Sequence, residues 1–289
     1  MTYPITERAA ERQFLSSGRL EDLYILHRVP KQERLLDRVI NVAGTRRIEE
    51  PIPQLKALQK TILGLFRTYP LPSVAYGIRG NSYSLNAEKH LGQKAVLRAD
   101  IKKFYPNTSK DKVVAVLMDD YLSGRIQEDL ELLIEALDFC FIKDEFGTYL
   151  PTGAPTSPML SNIAFSRQDA VLLELSQKHS LTYTRYVDDL VFSGQFIPKG
   201  FVQEVRTIVE SIGYKLNYKK LIYANKRMHQ KVTGCTVNQV LSCPSDYRKA
   251  LRAKIENLLR ESKSLDQVTL GQIEAIRAIN LGQYLSVIE

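Results

Sequence analysis

Residues 182–193 read Thr-Tyr-Thr-Arg-Tyr-Val-Asp-Asp-Leu-Val-Phe-Ser. Two β-rich runs meet at Asp188-Asp189, which predicts a hairpin with two carboxylates at its tip. Tyr186-Val187 precede the acids and Leu190-Val191-Phe192 follow them. Solvated acids rarely sit in such apolar company, because a charge buried without a partner is costly. A divalent cation is the usual partner. Hard oxygen donors, in a chain with 4 histidines, favour Mg²⁺ over zinc. Strand alternation sends neighbouring residues to opposite faces, whereas a tight turn lets both acids approach one site.

Working outward, residues 95–101 (Ala-Val-Leu-Arg-Ala-Asp-Ile) read as a buried strand that carries Asp100 at its end. If this strand neighbours the hairpin, three carboxylates converge. Such a set can hold two Mg²⁺ ions about 3.5–4 Å apart, which activates an attacking oxygen and stabilises a leaving phosphate. Asp119-Asp120 serves as a control: it ends a helical run in an acidic segment and reads as a solvated face.

The flanking segments set the architecture. Residues 7–40 read as helix, and Val39 to Ile52 as a short hairpin around Ala43-Gly44. Leu55, Leu58, Ile62 and Leu65 recur at helical spacing until Pro70 and Pro72. Residues 109–139 read as acidic helix, 150–158 as a Pro/Gly/Ser-rich loop, and the following stretch as helix to about Lys178. Val202, Val205, Ile208, Val209 and Ile212 predict another amphipathic helix; 214–242 look strand-rich and 245–289 helical. The order predicts an α+β fold, a mainly antiparallel sheet backed by helices.

Composition bounds the function. The chain has 289 residues, 44% hydrophobic and 25% charged, which excludes a disordered or collagen-like polymer. No apolar run spans a bilayer and no secretory leader is visible, so no membrane association is expected. Three cysteines without a CxxC pair argue against a disulfide framework or structural zinc and fit a cytoplasmic protein. The net charge of +8 is local: residues 213–263 hold twelve Lys/Arg against three acids, which leaves the remainder near neutrality. A basic lobe on a neutral body suits either a polyanion partner or a solvated helix face.

Taken together, these segments resemble the reverse transcriptases. Tyr186-Val187-Asp188-Asp189 resembles their YxDD box, and Ala99 to Pro106 their first aspartate box. Leu150 to Pro158 resembles their LPQGxPxSP loop. Gly213-Tyr214-Lys215-Leu216-Asn217 with Lys220 resembles the box after the catalytic hairpin. Gly44-Thr45-Arg46-Arg47-Ile48, with Pro51, Leu55-Lys56 and Gln59, resembles the fingers segment of bacterial members. All stand in the family's order. Asn86-Ala87-Glu88-Lys89-His90 matches the NAxxH pattern of retron enzymes and Val232-Thr233-Gly234 their VTG pattern, which favours a retron enzyme over a group II intron enzyme.

The resemblance implies a right-hand polymerase with fingers, an antiparallel-sheet palm backed by helices, and a short helical thumb. It places N-terminal helices and fingers at 1–90, the palm at 91–243 with a helical fingers insertion at about 109–150, and the thumb at 244–289. Asp100, Asp188 and Asp189, with the backbone of Ile101, would hold two Mg²⁺ ions. Lys103 and Phe104 would face a deoxynucleoside triphosphate through their backbone. Tyr105 falls at the steric-gate position that rejects a ribose 2′-hydroxyl; otherwise it is a core aromatic. Arg46 would clamp the triphosphate with its planar fork, or its neighbour Arg47 would. The usual lysine just before this hairpin is missing from Val39 to Ala43. Lys220 would protonate the leaving pyrophosphate or act as a plain phosphate lysine. Thr152, beside Gly153, replaces the family's glutamine and implies altered nucleotide affinity or fidelity.

For nucleic acid, the resemblance points to Asn86 and to Thr233-Gly234 near the RNA, with Gly234 suited to a tight turn. His90 reads as a hydrogen-bonded structural residue or an RNA contact. Arg248, Lys249, Arg252 and Lys254 would grip template-primer phosphates from a thumb helix whose apolar face is Leu251, Ile255, Leu258 and Leu259. The implied partners are a cognate structured noncoding RNA, an RNA–DNA hybrid and a separate effector protein of an antiphage system. Priming from a guanosine 2′-hydroxyl would give branched RNA-linked DNA. Alternatives are a non-retron bacterial defence reverse transcriptase, a catalytically silent RNA-binding scaffold on a polymerase fold, and a template-free nucleotidyl transferase.

Overall fold

The computed structural model describes residues 24–35, 38–78, 80–127, 129–145, 147–261 and 263–288. In chain order the elements are β1 (Tyr24–Leu35), β2 (Arg38–Pro51), α1 (Pro53–Leu65), β3 (Ala75–Tyr76), α2 (Tyr83–Glu88), β4 (Ala95–Asp100), α3 (Lys110–Leu122), α4 (Leu130–Ala136), β5 (Ile142–Asp144) and β6 (Gly147–Tyr149). There follow α5 (Ser157–Lys178), β7 (Thr182–Tyr186), β8 (Asp189–Gly194), α6 (Phe201–Glu210), β9 (Ile222–Asn225), β10 (Lys231–Val232), β11 (Cys235–Thr236), α7 (Ser245–Arg260), α8 (Gln267–Ile279) and α9 (Leu281–Ile288). Local chemistry fixes many ends. A proline opens α1, the Ser109 hydroxyl accepts from the Lys112 amide at the start of α3, and the Asp129 carboxylate accepts from Leu132 at the start of α4.

The chain divides into two compact units, each built from two stretches. One holds the residues up to Leu71 together with Lys103–Arg167; the other holds Pro72–Lys102 and the chain from Gln168 onward. These units cut across the three consecutive stretches expected from the resemblance. Residues 72–90 go with the second unit because β3 joins its sheet beside β7.

In the first unit, β1 and β2 pair antiparallel over a long ladder that runs from Tyr24–Pro51 to Leu35–Arg38. Two expectations change here. The helix expected over 7–40 is a strand over Tyr24–Leu35, and residues 7–23 of that stretch lie outside the described residues. Pro30 explains part of the change, since proline removes a helix hydrogen bond and clashes with the preceding turn. The hairpin expected around Ala43-Gly44 is instead a β-bulge. Pro30 pairs with Thr45 and Lys31 with Val42, so Ala43-Gly44 are the extra residues. The core of this unit gathers Ile62, Phe66, Val113, Leu117, Leu133, Leu137, Leu150 and Leu160. Asp120 also departs from expectation. It is fully buried, not solvated, and takes Arg125 at 3.0 Å, Arg167 at 2.8 Å and the Tyr69 hydroxyl. Two guanidinium groups make that burial affordable in a way no pattern of neighbours announces.

The second unit is built on a five-stranded sheet ordered β3-β7-β8-β4-β9. The sheet is mixed, because the edge pair β3-β7 is parallel while β7-β8, β8-β4 and β4-β9 are antiparallel. One face carries Val96, Arg98, Asp100, Asp189, Val191 and Ser193 by alternation. There Val96 and Val191 cluster with Ala87, Val232, Cys235 and Val237. The other face stacks Tyr183 on Phe192 at 4.9 Å, and Phe201 of α6 meets Phe192 edge-on at 5.0 Å. Helices α7, α8 and α9 form a separate apolar cluster of Leu251, Ile255, Ile273, Ile276 and Val287. Leu258 and Leu259, expected on the same buried face as Leu251, are half-buried and exposed, respectively. Among the described residues, no helix is long and apolar enough to cross a membrane.

Candidate active site

The sheet brings the three sequence-distant acids together. In the β4–β8 ladder Asp100 lies directly opposite Asp189, so two like charges share one face at cross-strand distance. Asp188 sits in the two-residue turn closed by the Tyr186–Asp189 pair, and its carbonyl accepts from the Ile101 amide at 2.8 Å. The flat-strand problem is thereby removed: Asp189 belongs to the strand, whereas Asp188 belongs to the turn. Val187 has φ +58°, a left-handed conformation rare for a β-branched residue.

Charge compensation is unequal. Lys220 Nζ donates to Asp100 Oδ2 at 3.0 Å, and Asn217 Nδ2 to Asp100 Oδ1 at 3.1 Å. Arg98 Nη2 donates to Asp189 Oδ2 at 2.8 Å. Burial, with Asp100 and then Asp189 nearby, pushes the Asp188 carboxyl up to about 6. Asp189 is also raised by burial, with Asp100 adding and Arg98 opposing. Among the described residues, no group of three or more His, Cys, Asp or Glu is arranged to hold a metal ion as it stands. The donors nonetheless suit a hard divalent cation. They are oxygens, partly desolvated and mutually repelling, and two already hold side-chain cations that an ion could replace. Ile101 offers only its backbone, since its side chain is buried.

The residues expected around a triphosphate belong to the first unit. Arg46 and Arg47 lie on β2, paired with Val29 and Arg28. Glu49, on the same strand and almost fully buried, ties the 150–158 loop to it. Its carboxylate accepts from the Thr152 amide at 3.2 Å, and its carbonyl from the Gly153 amide at 3.1 Å. A Cβ on Gly153 would stand 2.5 Å from that carbonyl oxygen, so the loop lies this close only with glycine. Phe104 is a core residue, its ring edge-on to Phe165 at 5.8 Å, and Lys103 adopts φ +50° before it. Tyr105 is half-buried beside the unit's core and opens a 3₁₀ turn.

The two retron-type segments also meet. Thr233 and Gly234 both have positive φ and form the turn of the β10–β11 hairpin. The Thr233 hydroxyl donates to the Tyr83 carbonyl of α2 at 2.6 Å. His90 is fully buried, with Nδ1 2.7 Å from Ser193 Oγ and Nε2 2.7 Å from Thr184 Oγ1. Burial lowers its pKa to about 3, so the ring is neutral. Asn86 is equally buried. For these two side chains an RNA contact gives way to a structural role, because neither has surface to offer. On α7, Lys249 and Arg252 are exposed, whereas Arg248 donates to the Cys243 carbonyl at 3.3 Å and Lys254 lies 3.5 Å from Asp266.

Sequence reading missed Arg98 and Glu49. Arg98 carried a signal, a charged residue inside an apolar strand two positions before Asp100, hence on the same face. Glu49 carried none.

No family model matches the chain. Retron Mx65 reverse transcriptase of Myxococcus xanthus is 30% identical over 269 residues, which is 88% of this chain and 58% of that protein. Retron Ec86 reverse transcriptase of Escherichia coli is 30% identical over 244 residues, 81% of this chain and 72% of that protein. The chain belongs to the retron reverse transcriptases. It spans little more than half the length of the Myxococcus relative. Among solved structures, telomerase from Candida albicans in complex with a telomeric RNA fragment gives a TM-score of 0.48 at 12% identity, over 96% of this chain and 58% of that one.

Proposed function

We propose that this retron-family chain is an RNA-directed DNA polymerase. It extends DNA on a cognate structured noncoding RNA, with deoxynucleoside triphosphates and two Mg²⁺ ions. The observation that carries this reading is the cross-strand pairing of Asp100 with Asp189, with Asp188 in the joining turn. Like charges directly opposite in a sheet are destabilising, and a shared cation between them would offset that cost.

Asp100, Asp188, Asp189 and the Ile101 carbonyl hold the metals. When bound, the ions supply a polarised attacking hydroxyl and neutralise charge on the leaving phosphate. Lys220, already beside Asp100, delivers a proton to the departing pyrophosphate. On β2, Arg46 or Arg47 grips the triphosphate, and Thr152, Gly153 and the backbone of Lys103 and Phe104 frame it. Tyr105 excludes the ribose 2′-hydroxyl. Lys249 and Arg252 hold template-primer phosphates, with Arg248 and Lys254 in support, and the Thr233-Gly234 turn faces the noncoding RNA. Priming from a guanosine 2′-hydroxyl yields branched RNA-linked DNA, and the product serves antiphage defence with an effector protein.

The test is primer extension on RNA and DNA templates with Mg²⁺, comparing parent and Asp188→Asn. Extension by the parent alone is expected; equal activity in both removes the metal role. Sequencing of copurifying nucleic acid is expected to give a covalent RNA–DNA product. Purely linear DNA favours the non-retron relatives, and no DNA with no extension favours an RNA-binding scaffold.

A further inference from the structure

A buried ion pair lies directly behind the turn that carries Asp188. Arg185 of β7 and Asp169 of α5 are both fully buried. Their contact is bidentate: Arg185 Nε donates to Asp169 Oδ1 at 2.9 Å, and Nη2 to Oδ2 at 2.6 Å. The Tyr183 hydroxyl donates to Asp169 Oδ1 at 2.8 Å and fixes the carboxylate from the side. The remaining nitrogen, Nη1, donates to the carbonyl of Val187 at 2.9 Å. That carbonyl belongs to the peptide joining Val187 to Asp188.

The turn needs holding. Val187 is in the left-handed region, which a β-branched side chain resists. Its side chain is backed by Gly77, itself at φ +80°, where a Cβ would come within 2.9 Å of Val187 Cγ2. By alternation Arg185 lies on the sheet face opposite Asp189, so it is not part of the carboxylate cluster. A buried ion pair is a poor device for stability alone, because apolar residues of similar volume commonly serve as well. What those residues cannot do is present a rigid fork, two arms on a carboxylate and a third nitrogen on a chosen carbonyl.

We propose that Arg185, oriented by Asp169 and Tyr183, is a positioning residue for Asp188. It pins the Val187–Asp188 peptide so that the Asp188 carboxylate is set where the metals and the attacking hydroxyl need it. This rests on the polymerase reading above and adds a residue set to it. Misplacement by about 1 Å near a reacting centre can cost on the order of 100-fold in rate.

The experiment compares four forms with the parent: Arg185→Lys, the pair Arg185→Met with Asp169→Leu, Gly77→Ala, and Asp188→Asn as the inactive control. Three quantities are read: melting temperature, kcat and KM for deoxynucleotide in primer extension, and the melting shift produced by Mn²⁺ alone. Arg185→Lys keeps a cation but loses the fork. The expected result is a folded protein with kcat lowered about 10- to 100-fold, KM changed less than about threefold, and a smaller Mn²⁺ shift. Gly77→Ala, which disturbs the same turn from the other side, is expected to repeat this pattern. The Met/Leu pair is expected to melt near the parent and still be slow. Parent-like kcat and Mn²⁺ shift in Arg185→Lys, or in a well-folded Met/Leu pair, overturns the proposal. If the parent itself extends no primer, the polymerase reading fails separately. The Mn²⁺ shift then decides alone: its loss in Arg185→Lys supports positioning and its retention overturns it.

Discussion

The carboxyl of Asp188 makes the ion-free protein less stable at neutral pH than it needs to be, and Asp188→Asn is expected to stabilise it. Its pKa is raised from the ordinary 3.8 to about 6 by burial and by Asp100 and Asp189. A raised carboxylate pKa means that the folded state holds the proton more tightly than the unfolded state. Below 3.8 both states are protonated and nothing is lost. As pH climbs from 3.8 to about 6 the folded protein must give up a proton it favours, so stability falls, and above 6 the penalty is constant. Two pKa units correspond to about 3 kcal/mol, and partial solvent access to Asp188 brings a realistic gain for the amide to about 1–3 kcal/mol. For a chain of this size that is a rise in melting temperature of about 2–8 °C. The assay is thermal or urea denaturation in EDTA at pH 7.5 and pH 4.5. The variant should be the more stable at pH 7.5, with the gap closing toward pH 4.5. Mg²⁺ should raise the melting temperature of the parent and leave the variant nearly unchanged. A variant no more stable than the parent at pH 7.5 in EDTA would refute the reasoning, because the three acids would then not repel one another.

His90 gives the opposite pH signature. Its pKa is lowered to about 3, so its contribution is present above 6.5 and drains as pH falls from there toward 3; in His90→Gln, acid unfolding followed by circular dichroism should lose this component. Gly153→Ala must push against the Glu49 carbonyl at 2.5 Å and should cost about 1–3 kcal/mol in denaturant melts, together with a raised KM for deoxynucleotide; parent-like values in both remove the loop–strand contact as a constraint. The paired change Lys249→Glu with Arg252→Glu should weaken RNA binding and flatten its logarithmic salt slope by about 2, read in filter binding at several salt concentrations, while the melting temperature holds.

How much of this was legible in the sequence depended on how local the cause was. The hairpin at 182–193 was readable because its turn and both strands are contiguous, and helix α1 because Leu55, Ile62 and Leu65 repeat on one face. The pairing of β4 with β8 was legible only as a conditional, since nothing in 95–101 names its neighbour. Tyr24–Leu35 was misread although its partner is the next strand, because most of its pairs, from Lys31–Val42 out to Tyr24–Pro51, join residues more than ten apart, which local periodicity cannot register. Pro30 alone spoke against helix. Ala43-Gly44 was rightly seen as a break but wrongly seen as a reversal, since bulges and turns share the same small residues. Asp120 failed as a solvated control for a related reason. Its burial depends on Arg125 and Arg167, and the second of these lies forty-seven positions away.

These misses share a physical origin that also explains the site. Four acids in or near the interior are matched to cations that the sequence places elsewhere: Asp120 to Arg125 and Arg167, Asp169 to Arg185, Asp189 to Arg98, and Asp100 to Lys220. Among the described residues Asp188 differs from these four in having no such ion pair, and its carboxyl is driven up to about 6, with Lys220 a minor opposing charge. An uncompensated carboxylate between two compensated ones marks where an external cation gains most. On the polymerase reading, Asp188, Asp100 and Asp189 would hold the ion, which would supply the positive charge that relieves their mutual repulsion. On that reading Lys220, 3.0 Å from Asp100, would be the residue that protonates the expelled pyrophosphate. Because Lys220 would share Asp100 with the ion on this reading, removing the Lys220 charge should tighten Mg²⁺ binding while slowing the chemical step. Lys220→Met with unchanged Mg²⁺ affinity and unchanged single-turnover rate would break that link.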